Sequence, residues 1–200
     1  MYRLLLLIAL NIFVIQTKAQ TVSDMFIDMP DSITPYMNDN QRKELIELKK
    51  MEPDSIAVTN SAFGKIKLTR LSDSILTLQL SDHNSLELGK LDENRYIFIK
   101  TYGAPLQEST CYIVDKKWKI VEVADFSDID FTQKSDSISE HEQRELIQLL
   151  EFPLISASIA DTPEKLVLKL ETPLTTTEEM KKFDAIKLQR SVKWTGKNFK

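Results

Sequence analysis

One cysteine, four glycines and two histidines in 200 residues close off several chemistries before any pattern is read. Cys111 has no partner thiol, so no internal disulfide can form and the core must hold the fold unaided. Gly64, Gly89, Gly103 and Gly196 are not spaced as a phosphate loop or a dinucleotide fingerprint. His83 and His141 form neither an H-x-H nor an H-x-x-x-H pair, so no histidine-based metal motif is present. No G-x-S-x-G elbow occurs. Asp125, Asp128 and Asp130 lack the spacing and central glycine of an EF-hand loop and read as a solvated acidic linker. Lys49-Lys50 and Lys116-Lys117 are isolated pairs rather than a basic patch. The formal charge of −4 gives no electrostatic reason to bind nucleic acid or an anionic membrane surface. No catalytic residue, metal ligand or cofactor is assigned on these grounds.

Long hydrophobic runs are also missing, with one exception at the start. Met1-Tyr2-Arg3 carries a positive charge, Leu4 to Ile15 is apolar except for Asn11, and Gln16-Thr17-Lys18-Ala19-Gln20 is polar with small residues at Thr17 and Ala19. A basic start, a short apolar run and a T-x-A site match a cleavable signal peptide over residues 1–19. A spanning helix needs roughly 20 apolar residues, and this run stops well short of that. The expectation is an exported protein, periplasmic or extracellular, that begins near Gln20 after cleavage at Ala19. No cysteine adjoins that site, so a lipid has no thiol to acylate there. Loss of Arg3 and Lys18 takes the formal charge to about −6.

What remains has the apolar and charged content of a folding sequence, enough for one ordinary domain or two small lobes. Val22, Met25, Phe26 and Met29 recur at helical spacing before Pro30. A second helix is expected from Asn38 or Asp39 to Met51, with Leu45, Ile46 and Leu48 as its stripe and Pro53 beyond its end. Then the period becomes two. Lys65 to Thr69, Leu76 to Leu80 and Leu86 to Leu88 alternate, as expected of antiparallel strands with one face inward and one wet. The short polar links Ser72-Asp73-Ser74 and Ser81 to Ser85 suit hairpins and leave no room for crossover helices.

Tyr96-Ile97-Phe98-Ile99 is apolar on both faces and is expected at the centre of the sheet. Thr110–Val114 and Trp118–Val123 form a further hairpin about Asp115-Lys116-Lys117, which places Cys111 inside a strand as a buried structural thiol. The stretch from Asp125 to Ser135 is a connector whose Phe126, Ile129 and Phe131 pack down on a core. Ser139-Glu140-His141-Glu142 is a capping box for a third helix to Leu149 or Leu150, with Leu146, Ile147 and Leu150 buried. Strands follow at Ile155–Ile159, Leu166–Leu170 and Ile186–Trp194.

Asp31-Ser32-Ile33 before Gln41 to Leu48 resembles Asp136-Ser137-Ile138 before Gln143 to Leu149. The fold class is therefore α+β, antiparallel sheets with a few packed helices. It is arranged either as two tandem helix-plus-sheet lobes, residues 20–124 and 125–200, or as one continuous domain.

Lys100 to Cys111, with Gly103 and Pro105, reads either as a binding lip or as a wide hairpin that needs a glycine at positive φ. Thr21 to Phe26 with Met29 to Ser32, the Tyr102-Gly103-Ala104-Pro105 to Glu108-Ser109-Thr110 turn, and Asp115-x-x-Trp118 together resemble a domain-of-unknown-function family of exported Bacteroidales proteins. That resemblance implies an envelope or extracellular location and brings no activity or site residues with it. The functional expectation is a non-enzymatic protein that binds another envelope protein or a glycan through a sheet face or the Tyr102–Glu108 lip. Its rivals are a hydrolase with an unrecognised site using His83 or Cys111, and a purely structural envelope component.

Overall fold

The computed structural model describes residues 20–52, 57–60, 64–126, 128–131, 138–148, 154–171, 181, 183 and 188–200. The expected signal peptide, both helix-stopping prolines at 53 and 153, residues 136–137 of the second repeat, the helix end at 149–150 and Ile186 lie outside them. Among the described residues, no helix is long and apolar enough to cross a membrane.

Two capping boxes set the first helices. Thr21 and Asp24 exchange hydrogen bonds at 2.9 and 3.2 Å to open α1 (Val22–Ile27). Asn38 and Gln41 do the same at 3.0 Å to open α2 (Asp39–Met51). Each box satisfies backbone amides that a helix start leaves without partners. α1 ends at Ile27, two residues before the expected Met29, which is buried all the same. Arg42 holds the segment between the two helices. Its buried guanidinium donates to the carbonyls of Ile27 (3.2 Å) and Met37 (2.5 Å), to Thr34 Oγ1 (3.3 Å) and to the Asp31 carboxylate (3.1 Å).

Seven strands follow as a meander in sequential order, antiparallel throughout. They are β1 (Ala57–Asn60), β2 (Gly64–Leu71), β3 (Ile75–Gln79), β4 (Ser85–Lys90), β5 (Arg95–Tyr102), β6 (Glu108–Asp115) and β7 (Ile120–Val123). β1 is a short edge strand whose four residues carry too little alternation to be read from sequence. β7 is exposed along its length. α1 and α2 cover one face of the sheet, where Val22, Met25, Phe26, Leu45 and Ile46 meet Ile66, Leu68, Leu76, Leu78, Leu88, Tyr96 and Phe98. Trp118 ties the layers together from the β6–β7 turn. Its Nε1 donates to the Met25 carbonyl at 2.9 Å, and its ring stands edge-on to Phe98 at 5.1 Å.

After α3 (Glu140–Gln148), a second antiparallel sheet is built from β8 (Leu154–Ile159), β9 (Lys165–Glu171) and β10 (Gln189–Lys193), in the order β10-β9-β8. Its Ala157, Ile159, Leu166, Leu168, Leu170 and Val192 pack against Ile75, Ile97, Ile99, Cys111 and Ile113 on the other face of the meander. Phe126 and Phe131 of the connector join that core as expected. The expectation of one wet face therefore fails for the middle of the meander, because the second sheet lies on it. The two-faced apolar character of β5 is the sequence trace of that cover: Tyr96 and Phe98 point to the helices, Ile97 and Ile99 to the second sheet. On α3, Leu146 is buried at 4% exposure, but Ile147 is 39% exposed instead of buried. One residue along a helix is a 100° rotation, and that takes Ile147 off the packed side. Leu146 meets Phe183, with Ile138 and Leu188 beside them.

The second sheet packs closely over Gly89. A Cβ there would sit 2.9 Å from both Ile159 Cδ1 and Ile97 Cγ2, and 3.1 Å from Pro163 Cβ. Gly89→Ala is expected to lower stability by about 1–3 kcal/mol through overpacking. Denaturant unfolding of the variant beside the unchanged protein measures this, and an unaltered midpoint would mean that the sheets are not in contact there.

Candidate functional site

Strand registers arrange the covered face of the meander into cross-strand rows. One row is Lys67, Gln79, Ser85, Thr101 and Ser109; the next is Arg70, Thr77, Glu87, Ile99 and Cys111; a third is Ile75, Gly89, Ile97 and Ile113. Polarity falls from the first row to the third. Arg70 reaches this face because a bulge between Leu68 and Arg70 inserts one extra residue and reverses the alternation of β2.

The polar rows seat the edge of the second sheet. β8 pairs with β9 on one side only, and the backbone groups on its other side meet side chains of the meander. The Ala157 N–H donates to Ser109 Oγ at 2.8 Å and the Ile159 N–H to Glu87 Oε2 at 2.9 Å. Arg70 donates to the carbonyls of Ile159 (3.3 Å), Ala160 (2.6 Å) and Asp161 (3.1 Å). A sheet edge brought against another sheet would otherwise bury unsatisfied amides and carbonyls.

Beyond this contact the meander continues uncovered, and a cleft of ≈ 300 Å³ opens between it and the outer face of the second sheet. Its floor holds Ser85, Glu87 and Thr101, and its wall holds Ser156, Ser158, Lys169 and Gln189. Gln107 enters from the β5–β6 turn. Thr101 Oγ1 lies 2.7 Å from Ser109 Oγ, which links the floor to the seat of β8. Ligand pockets are mostly apolar with a few polar groups. This one reverses the proportion, so it suits a polar ligand.

Glu87 is 7% exposed, and burial raises its pKa from 4.5 to about 6 against the opposing pull of the Ile159 N–H and the Arg70 charge. Burial, with the Glu87 charge adding to it, pushes the Cys111 thiol up to about 12. On the wall, the Lys169 ammonium contacts both oxygens of Glu171 at 3.1 Å, and Ser156 Oγ donates to Glu171 at 2.8 Å.

The residues singled out in the sequence are not brought together here. Cys111 is a buried strand residue, as expected, and its thiol stays protonated at neutral pH. His83 is exposed in the β3–β4 turn, and His141 is exposed on α3, 3.6 Å from Glu145. Asp125, Asp128 and Asp130 are exposed. Among the described residues, no group of three His, Cys, Asp or Glu side chains is placed to hold a metal ion. In the Tyr102–Glu108 segment the structure shows the hairpin that needs a glycine. Gly103 has φ +115° and a Cβ there would collide with the Leu106 carbonyl oxygen, so the turn requires glycine; Gln107 of the same turn lines the cleft. Glu87, Arg70 and Lys169 carry no sequence signal of a site, and Thr101 and Ser109 enter only as part of the Lys100–Cys111 segment. The nearest to one is Ser85-x-Glu87-x-Gly89, the set that alternates with Leu86 and Leu88 and looks like a solvated strand face.

A family model described as "Protein of unknown function (DUF3256)" matches residues 14–199. No curated protein matches the chain. Among solved structures, the chain is similar to a "domain of an uncharacterized protein from Porphyromonas gingivalis W83", with a TM-score of 0.69 and 14% sequence identity. The alignment covers 92% of this chain and 98% of that one. At this identity the likeness shows the fold and nothing about activity.

Glu87 makes stability depend on pH with a defined sign. Its folded pKa of about 6 exceeds the value of 4.5 taken for the unfolded chain. The folded state therefore binds protons more tightly, and stability falls as pH rises from about 4.5 through 6. The difference corresponds to about 2 kcal/mol at neutral pH. Glu87→Gln keeps an acceptor for the Ile159 N–H and removes the charge. Urea unfolding from pH 4.5 to 7.5 should show the variant gaining on the unchanged protein by roughly that amount as pH rises; parallel profiles would show that Glu87 is not buried as described.

Proposed function

The chain belongs to the DUF3256 family of proteins of unknown function, and on that premise we propose that it is a non-enzymatic binding protein of the bacterial envelope. Its binding site is the polar cleft between the two sheets. One observation carries this reading: hydroxyl and amide side chains from both sheets surround a buried carboxylate in a cleft of ligand size. An ionisable group held buried at a cost in stability is a common mark of a functional site.

Work outside the cytoplasm is supported by the basic-apolar-small pattern of residues 1–19. A hydrolase finds less support. Of the two residues such an enzyme would use, Cys111 has its thiol held protonated in the inter-sheet core and His83 is exposed on the β3–β4 turn.

Ser158 is exposed on the cleft wall, so Ser158→Trp fills the cleft without disturbing the core. A thermal-shift panel of monosaccharides, amino sugars and amino acids should yield compounds that raise the melting temperature of the unchanged protein and leave that of the variant unaltered. Equal shifts in both proteins would place binding elsewhere. Hydrolysis of a glycoside or amide of any such compound would restore the hydrolase reading.

A further inference from the structure

The cleft holds an ionised group whose hydrogen bonding is incomplete. Glu87 Oε2 accepts the Ile159 N–H, and among the described residues no donor reaches Oε1. The Arg70 charge favours the ionised carboxylate, but among the described residues no cation makes an ion pair with it. Arg70 lies in the same cross-strand row, but Thr77 stands between them and its guanidinium serves the carbonyls of residues 159, 160 and 161. Lys169, on the opposite wall, is held by both oxygens of Glu171. Cys111, beyond Ile99 in the row, is neutral. β8 gives Glu87 the Ile159 N–H, its same-face neighbours on β4, Ser85 and Gly89, carry no charge, and Lys67 lies in the adjacent row two strands away, across Gln79.

On the reading of the cleft as a binding site, we infer that its ligand is a small molecule bearing a primary ammonium group, which docks on the open oxygen of Glu87. An ammonium supplies up to three donors together with the compensating charge, and charge-assisted bonds of this kind are the strong ones. A neutral polyol can donate to the same oxygen but leaves the buried charge unpaired. The surrounding groups fit the choice: the Ser85 and Thr101 hydroxyls and the Gln107 and Gln189 carbonyls can accept the other N–H groups, while Ser158 offers a hydroxyl to the rest of the ligand. An amino sugar and an amino acid derivative present the same ammonium, and the choice of probes separates them.

The test is calorimetric titration of the full mature chain at pH 7.5 with glucosamine, alaninamide and glucose, repeated on Glu87→Gln. At least one of the two amines should bind saturably and glucose should not; the amine that binds identifies the source. The variant, checked by its circular dichroism for an unaltered fold, should bind that amine about tenfold more weakly or worse. Binding at pH 6 should also release protons, because the ammonium favours the ionised carboxylate, and the variant should release none. Glucose binding as tightly as glucosamine, or undiminished amine binding by the variant, would overturn the ammonium assignment while leaving the cleft as a site. Silence from all three probes would overturn it as well, and the wider thermal-shift panel would then decide the fate of the cleft.

Discussion

The seating of one strand edge on side chains of another sheet is the contact from which the remaining architecture follows. β8 presents a row of backbone amides and carbonyls to the face of the meander, and these cannot be left dry without partners. Ser109, Glu87 and Arg70 supply the partners. The seat fixes where the second sheet stands: apolar rows of the meander fall under its inner face, and polar rows fall outside it. Core and cleft are therefore two consequences of one contact. Gly89 sets the closeness of approach, and the β2 bulge brings Arg70 to the same side.

Using a carboxylate for one of those partners is costly. A serine or an amide would accept the Ile159 N–H without a buried charge. Glu87 instead carries a charge that burial opposes, beside a cleft where a ligand could offset it. Natural sequences depart from the stable choice mainly where function requires it. That conflict between local stability and residue identity is the physical basis for placing the site at Glu87 rather than at the exposed histidines or the neutral thiol.

Much of the fold was legible. Asn38 announces α2, and Ser139 and Glu142 announce α3, because caps act within four residues. Period-two leucines revealed β3 and β4, and the apolar run Tyr96–Ile99 placed β5 inside the sheet, although the second sheet that covers its other face was not foreseen. Stretches that resemble the family turn out to shape the fold: Thr21 and Asp24 cap α1, Asp31 meets Arg42, and Trp118 pins α1 to the sheet. The site was not legible. Its members come from β2, β4, β5, β6, β8, β9 and β10, and a glutamate alternating with leucines looks identical whether water or another sheet lies over it. Burial by a partner some 70 residues away leaves no local trace.

Native-state hydrogen exchange at the Ala157 and Ile159 amides tests the seating of β8 most directly. If Ser109 and Glu87 hold these two groups, their protection will match that of interior ladder amides such as Ile99 and Ile113. Exchange as rapid as that of the exposed edge strand β7 would show that β8 is an open edge, and both the seat and the cleft beside it would have to be given up.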